Sequence, residues 1–292
     1  MFLPRKILEE KLLRILAEDT GQGDITTVLI VPKETTAEAE IIAKETGTAA
    51  GVEEAKILLE CLGLATKDLV EDGDQIKSSQ VLMKVSGDAR TILTAERTVL
   101  NILSRMSGIA TKTKNLTEKL RTKGLKTKIA CTRKTAPGLT YFDKKAVQIG
   151  GGDAHRLHLD DMVLIKDNHI RIAGSVSKAV KRAREKASFS KKIEVEITET
   201  GDILPAIEAC ADIIMLDNFA PKQIKNACSI LKKAGFYGKI LIEASGGITE
   251  TNLLQYASSG VDIVSMGALT NSAKALDISL EITKTSKKKT RG

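Results

Sequence analysis

Residues 192–217 read KIEVEITETGDILPAIEACADIIMLD: a β-prone run, a helical stretch, then a second β-prone run ending on Asp217. The same rhythm spreads through the second half of the chain. KIACT, DMVLI, KIEVEI, DIIML, KILIEA and VDIVSM are separated by helical candidates such as SVSKAVKRAREKA, PKQIKNACSILKKAG and TETNLLQYASSG. Repeated strand–helix units of this size predict a parallel sheet with helical crossovers. No strand is followed by GxGxxG or GxxxxGK[ST], which removes the commonest signatures of open nucleotide-binding sheets. The strand ends decide the architecture. KIACT runs into Arg133 and Lys134, DMVLI into Lys166, and KIEVEI contains Glu196 near its end. DIIML leads to Asp217, KILIEA to Ser245-Gly246-Gly247, and VDIVSM to Gly267. Charged or small residues at the C-terminal ends of successive strands are how a parallel barrel assembles one active site.

Upstream, residues 5–18 place Ile7, Leu8, Leu12, Leu13, Ile15 and Leu16 on one side of a helix, and GQGDITT reads as a turn. AEAEIIA and VLMKV read as strands around the helix VEEAKILLECLG, forming a small α+β domain. A long helix is expected from about Ala89 to Leu120, with a break near Gly108. The expected domains are 1–110, an α+β unit with its connecting helix; 111–270, an α/β barrel; and 271–292, a C-terminal helix and basic tail.

Composition narrows the function. With 42% hydrophobic and 28% charged residues the chain is an ordinary globular one. Its net charge of +8 suggests a nucleic-acid partner only superficially, because KTSKKKTRG at 284–292 holds five of the cations (Lys284, Lys287, Lys288, Lys289, Arg291). Such a run reads as a solvated end, and it lacks interleaved aromatics for base stacking, so no nucleic-acid partner is expected. Cys61, Cys131, Cys210 and Cys228 make no CxxC pair, so neither zinc nor a disulfide framework is expected. No signal-peptide core and no membrane-length apolar run is evident, and a cytoplasmic location follows as the expectation.

Arg133, Lys134, Arg156 and Lys166, with His155 beside Arg156, would share one barrel mouth. Like charges about 4 Å apart repel by several kcal/mol at intermediate dielectric, so a polyanionic ligand is implied. Glu196 and Asp217 supply the opposite sign; they suit either Mg²⁺ shared with substrate phosphates or internal salt bridges with the cations. ASGGIT and SMGALT read as glycine-rich phosphate cradles after the last two strands, at a helix N-terminus. His158 and His169 read as structural, with Asn168-His169 ordering the loop that presents Lys166. Asp160 and Asp161 read as a solvated turn.

CTRKTAPG, GGGDAHR, DMVLIKDNHI, IEVEI, IMLDNF, EASGGI and VSMGAL together closely resemble the quinolinate phosphoribosyltransferase family, the carboxylating nicotinate-nucleotide pyrophosphorylases. AEDTGQGDITT and AERTVLNILSRMSGIAT extend the likeness over nearly the whole chain. The resemblance implies an N-terminal α+β sandwich-like domain and an incomplete, about seven-stranded α/β barrel. It also implies a homodimer with shared active sites, or a higher oligomer built from it. Quinolinate and phosphoribosyl pyrophosphate are the implied substrates and Mg²⁺ the cofactor. By motif, Arg97 matches an arginine donated across the dimer interface to quinolinate, and Arg133, His155 and Arg156 match the clamp on the two pyridine carboxylates. Lys134 and Lys166 match lysines between quinolinate and the phosphates. Glu196 and Asp217 match ribose and Mg²⁺-pyrophosphate ligands; Ser245, Gly246 and Gly267 match the 5′-phosphate cradle. The implied reaction yields nicotinate mononucleotide, pyrophosphate and carbon dioxide. His158 stands where the motif commonly has glycine, and the Lys-rich tail is foreign to the pattern. A paralogue linked to molybdenum transport shares the TRK and HR motifs but usually changes the lysine motif retained here as IKDNH. A non-decarboxylating nicotinate transferase would need only one carboxylate clamp.

Overall fold

The computed structural model describes residues 3–287, so Lys288, Lys289 and Arg291 lie outside the described residues. The chain divides into two compact units. The first comprises residues 1–114, 148–150 and 273–292; the second comprises 115–147 and 151–272.

The first unit holds helices α1 (Arg5–Thr20), α2 (Ile25–Ile30) and α3 (Val52–Cys61), and strands β1 (Thr35–Ala43), β2 (Gly47–Thr48), β3 (Ala65–Asp68), β4 (Gln75–Ile76) and β5 (Val81–Asp88). Helix α4 (Ala89–Thr122) begins in this unit, and its last residues belong to the second. Leu8, Leu12 and Leu16 make the buried stripe of α1 at i, i+4 and i+8. In β1 the alternate residues Ala37, Ala39, Ile41 and Ala43 are buried, the period expected of a strand with one face on a core. The segment Gly21–Thr27, expected as a turn, does turn at Gly21–Gln22 and then enters α2 at Ile25. Asp24 caps it, its carboxylate accepting the Thr27 N–H at 2.9 Å, a sequence signal that was available.

Two further expectations for this unit are corrected. Gly108 does not break α4, which is one continuous helix. Its missing Cβ is needed because any side chain there would collide with the Lys274 carbonyl oxygen. The described residues beyond 271 hold no helix. Ile278–Lys287 is a strand, β12, antiparallel to β1 from Ala43↔Ile278 to Thr35↔Lys287, and the sheet order is β12-β1-β5-β3. β-branched Ile278, Ile282, Thr283 and Thr285 favour the extended chain, and β1 offers an edge for it. Lys284, expected in a solvated tail, pairs with Glu38 across the two strands at 3.1 Å.

The second unit is built on six parallel strands: β6 (Lys128–Ala130), β7 (Val163–Ile165), β8 (Ile193–Ile197), β9 (Ile213–Asp217), β10 (Leu241–Ser245) and β11 (Ile263–Ser265). They are joined through α5 (Thr140–Ile149), α6 (Asp167–Ala173), α7 (Val176–Lys186), α8 (Ile203–Glu208), α9 (Pro221–Lys233) and α10 (Leu253–Ala257). The order β6-β11-β10-β9-β8-β7 pairs the first strand with the last, so the sheet curls into a barrel. About seven strands were expected, and six are present. The seventh place is held by a single parallel bridge, Ala130↔Asp153, next to His155. The left-handed backbone of His155 (φ 51°) turns the chain away before a strand can extend. The barrel therefore keeps a seam between that segment and β7.

Candidate active site

A period of two along the barrel strands creates the site. In β8, Ile193, Val195 and Ile197 share one face while Glu194 and Glu196 share the other. Leu164 and Lys166, Met215 and Asp217, Glu243 and Ser245, and Ser265 and Gly267 are likewise spaced by two. Glu196 and these four pairs line a cavity of about 680 Å³. Thr132, Arg133, Lys134, His155, Arg156, Gly246, Gly247 and Asn271 complete much of its wall. Ten of the eleven residues singled out by sequence meet here. Arg97 does not: it is exposed on α4, in the first unit.

The cations are spent unevenly. Lys166 pairs with Glu196 at 3.0 Å, so the salt-bridge reading of Glu196 is met in part. Arg133, Lys134 and Arg156 have no carboxylate within ion-pair distance among the described residues. Burial, and then the Arg133 charge, push the Arg156 pKa below the ordinary guanidinium value. A partly buried Arg156 beside the exposed Arg133, both facing an open cavity, is relieved by an anion. Lys134 is held through its backbone, its carbonyl accepting Thr270 Oγ1–H at 2.8 Å. A Cβ on Gly267 would stand 2.9 Å from Lys134 Cδ, so this glycine makes room for the lysine side chain.

The acids form two groups. Burial, then repulsion from Glu196, raise the Asp217 carboxyl above its ordinary pKa, against an Asn218 Nδ2–H bond of 2.7 Å. Two mutually repelling carboxylates at neighbouring strand ends fit a hard divalent cation. Deeper in the barrel, His155 Nε2 lies 3.3 Å from both Glu194 and Glu243, which are wholly buried. Burial opposes a charge on the ring, but the two carboxylates outweigh it and push the His155 pKa up to about 10. Burial together with Glu243 raises Glu194 as well. The Arg156 N–H donates to His155 Nδ1 at 2.8 Å. The ligand atoms of His155, Glu194 and Glu243 lie within 4.8 Å of one another, with the imidazole at ion-pair distance from both buried carboxylates. His155 thus lines the cavity, but its ring nitrogens are committed to the protein.

Backbone geometry shapes the remaining wall. Gly246 (φ 92°) passes so close to Asn218 that a Cβ would stand 2.8 Å from its backbone nitrogen. Gly267 opens only a three-residue 3₁₀ turn, in place of the helix expected after the last strand. His169 supports Lys166, its Nδ1 accepting the Lys166 N–H at 2.9 Å. Asp161 is more than a solvated turn: its Oδ2 accepts the N–H groups of Leu157 (2.5 Å) and His158 (2.9 Å) behind Arg156. Sequence reasoning missed Glu194, Glu243 and Asn218. An acid inside an apolar parallel strand was the available signal for the first two.

Residues 24–107 match the quinolinate phosphoribosyl transferase N-terminal domain and residues 109–281 its C-terminal domain. The chain belongs to the quinolinate phosphoribosyltransferase family. It is 44% identical over 268 residues to the probable nicotinate-nucleotide pyrophosphorylase [carboxylating] of Methanothermobacter thermautotrophicus, covering 92% of this chain and 96% of that protein. The human nicotinate-nucleotide pyrophosphorylase [carboxylating] is 37% identical over 245 residues, 84% of this chain and 82% of that one. The solved nicotinate-nucleotide pyrophosphorylase of Francisella tularensis superposes with a TM-score of 0.87 at 38% identity, covering 97% and 98% of the two chains. All four cysteines are free, and no helix among the described residues is long and apolar enough to cross a membrane.

Proposed function

We propose that this family member joins quinolinate to phosphoribosyl pyrophosphate with loss of carbon dioxide, giving nicotinate mononucleotide and pyrophosphate. The observation that carries the reading is a single barrel-end cavity in which Arg133, Lys134 and Arg156 lack carboxylate partners, beside Glu196, Asp217 and two glycine-rich loops. A substrate with two carboxylates and a second with a pyrophosphate together supply the missing negative charge. The archaeal and human relatives above are named as carboxylating pyrophosphorylases, which favours this reading over the molybdenum-linked or nicotinate-specific alternatives.

In the proposed reaction the pyridine nitrogen attacks the anomeric carbon as the pyrophosphate oxygen leaves with the bonding pair. Arg133 and Arg156 fork the two carboxylates and fix the ring in line. Lys134 and Lys166 face the charge that moves from ring to leaving group. Glu196 lies on the ribose side, where positive charge builds as in an oxocarbenium ion. Ser245, Gly246 and Gly267 cradle the 5′-phosphate. Once alkylated, the positively charged ring nitrogen stabilises the electron pair left on the adjacent carbon as carbon dioxide departs, and that carbon then takes a proton from water. Catalysis is positioning plus fixed charge, and no side chain forms a covalent bond. Glu196 and Asp217 would hold Mg²⁺, whose charge would stabilise the pyrophosphate as it leaves.

The working form we propose is a cytoplasmic homodimer in which Arg97 enters the partner's cavity. Arg97 is exposed, and α2 exposes Ile25, Val28, Leu29 and Ile30, an apolar surface suited to burial against a second copy. The decisive assay incubates the protein with quinolinate, phosphoribosyl pyrophosphate and Mg²⁺, with mass detection of nicotinate mononucleotide and trapping of carbon dioxide. Product from nicotinate at an equal rate, with no carbon dioxide from quinolinate, would sink the assignment.

A further inference from the structure

Among the described residues Lys144 is the largest fully buried side chain, on α5 among the buried residues Phe142, Asp143, Lys145, Ala146 and Val147. A charged group is costly to remove from water, so its contacts must compensate. Its Nζ donates to the Ala154 carbonyl at 2.5 Å and the Arg156 carbonyl at 2.8 Å, and lies 3.7 Å from Cys131 Sγ. Burial lowers its pKa, the expected response of a lysine whose oxygen partners are neutral carbonyls.

Those two carbonyls flank His155, the residue with left-handed backbone. A non-glycine residue holds that conformation only when its surroundings over-determine it. Asp153 Oδ1 accepts the His155 N–H at 2.7 Å, and His155 Nδ1 accepts the Arg156 N–H. Lys144 closes the set by gripping the carbonyls of the residues on either side. We propose that Lys144 is a positioning residue: by bridging the Ala154 and Arg156 carbonyls it fixes the turn that aims the Arg156 guanidinium into the cavity. It touches neither Glu196, Asp217 nor the glycine loops, so its influence falls on the carboxylate clamp and not on the phosphoribosyl side. The inference rests on the proposed role of Arg156 in holding quinolinate.

Steady-state kinetics of Lys144→Met, nearly isosteric and without the donors, provide the test. The KM for quinolinate should rise roughly 10- to 100-fold, as for a misplaced clamp, while that for phosphoribosyl pyrophosphate stays within about twofold. In an Arg156→Ala background the same change should raise the quinolinate KM by no more than about twofold, because the two residues act as one unit. Equal increases for both substrates, or full additivity with Arg156→Ala, would overturn the proposal in favour of a general core role. If Lys144→Met does not fold, Lys144→Gln, which keeps an amide donor for one carbonyl, must show the same asymmetry at smaller size. Failure of both to fold would also overturn it. Wild-type protein that releases no carbon dioxide from quinolinate would contradict the assigned activity instead. The positioning role would then be read by calorimetric titration with benzene-1,2-dicarboxylate, the carbocyclic analogue. Its affinity should fall at least tenfold in Lys144→Met, and unchanged affinity would reject the role.

Discussion

The two ends of the barrel use charge in opposite ways. At the N-terminal end, Asp212 and Asp262 immediately precede β9 and β11 and repeat one device. Each carboxylate accepts a backbone N–H from the neighbouring strand, Asp212 from Ile193 at 2.7 Å and Asp262 from Ile242 at 2.8 Å. Each residue's own N–H donates to the carbonyl of that same partner. Charge there is spent on the fold. At the C-terminal end, Arg133, Lys134 and Arg156 face open space, and Asp217 is raised by Glu196. A charged residue at a strand end is therefore ambiguous by itself, and which end it occupies decides between stability and chemistry.

The largest expected effect belongs to the cavity end. Lys134→Ala should lower turnover by roughly 10²- to 10³-fold while leaving thermal unfolding nearly unchanged, since the removed charge serves reacting groups and not the fold. A large fall in Tm with modest kinetic loss would erase the contrast between the ends. Mixing inactive Lys134→Ala with inactive Arg97→Ala sharpens it, by asking whether the cavity end is completed by a second copy. After subunit exchange, each mixed dimer should hold one site with both defects and one with neither. Activity should approach half the wild-type value per mixed dimer. No recovery, with exchange confirmed by mass, would remove Arg97 from the site.

Asp262→Ala tests the other end. It strands the Ile242 N–H, at a cost of about 1–3 kcal/mol, so Tm should fall roughly 2–10 °C while kcat and both KM values stay near wild type. Loss of activity without loss of Tm would place this aspartate in the chemistry. The smallest effect is expected at Asp217. Its carboxyl pKa is raised in the fold, so the folded chain binds that proton more tightly than the unfolded chain. The resulting stability is fully present below about pH 3.9, the unfolded value, and is lost as pH rises through the folded value. Asp217→Asn should therefore flatten this part of the Tm-against-pH curve and slightly raise Tm at neutral pH without metal, while raising the Mg²⁺ concentration needed for turnover. A lower Tm with an unchanged metal requirement would assign Asp217 to structure.

The barrel was legible because each strand is a short apolar run with its polar residue at a fixed end, a pattern that backbone geometry alone dictates. The cavity residues followed from it without knowledge of any contact. What stayed hidden depends on long-range pairing. Gly108 looks like a helix breaker until the Lys274 carbonyl is seen against it. Lys284 looks like part of a tail until β1 supplies Glu38. His155 reads as an anion ligand beside Arg156, yet Glu194 and Glu243, distant in sequence, claim its Nε2. Lys144 and Lys145 stand side by side in α5, and nothing local marks the first as the one that grips the Arg156 loop.

The pairing of β12 with β1 also sets an order of assembly. Chain emerging from a ribosome exposes Thr35–Ala43 early, but its full-length neighbour, Ile278–Lys287, comes almost a whole protein later. Until then one side of β1 is an unpaired edge, open to strands from other nascent chains. The barrel, encoded between the two, can close first. The unit that starts the sequence is the last to be finished, and a chain cut at residue 272 should aggregate through that edge even though every barrel strand is intact.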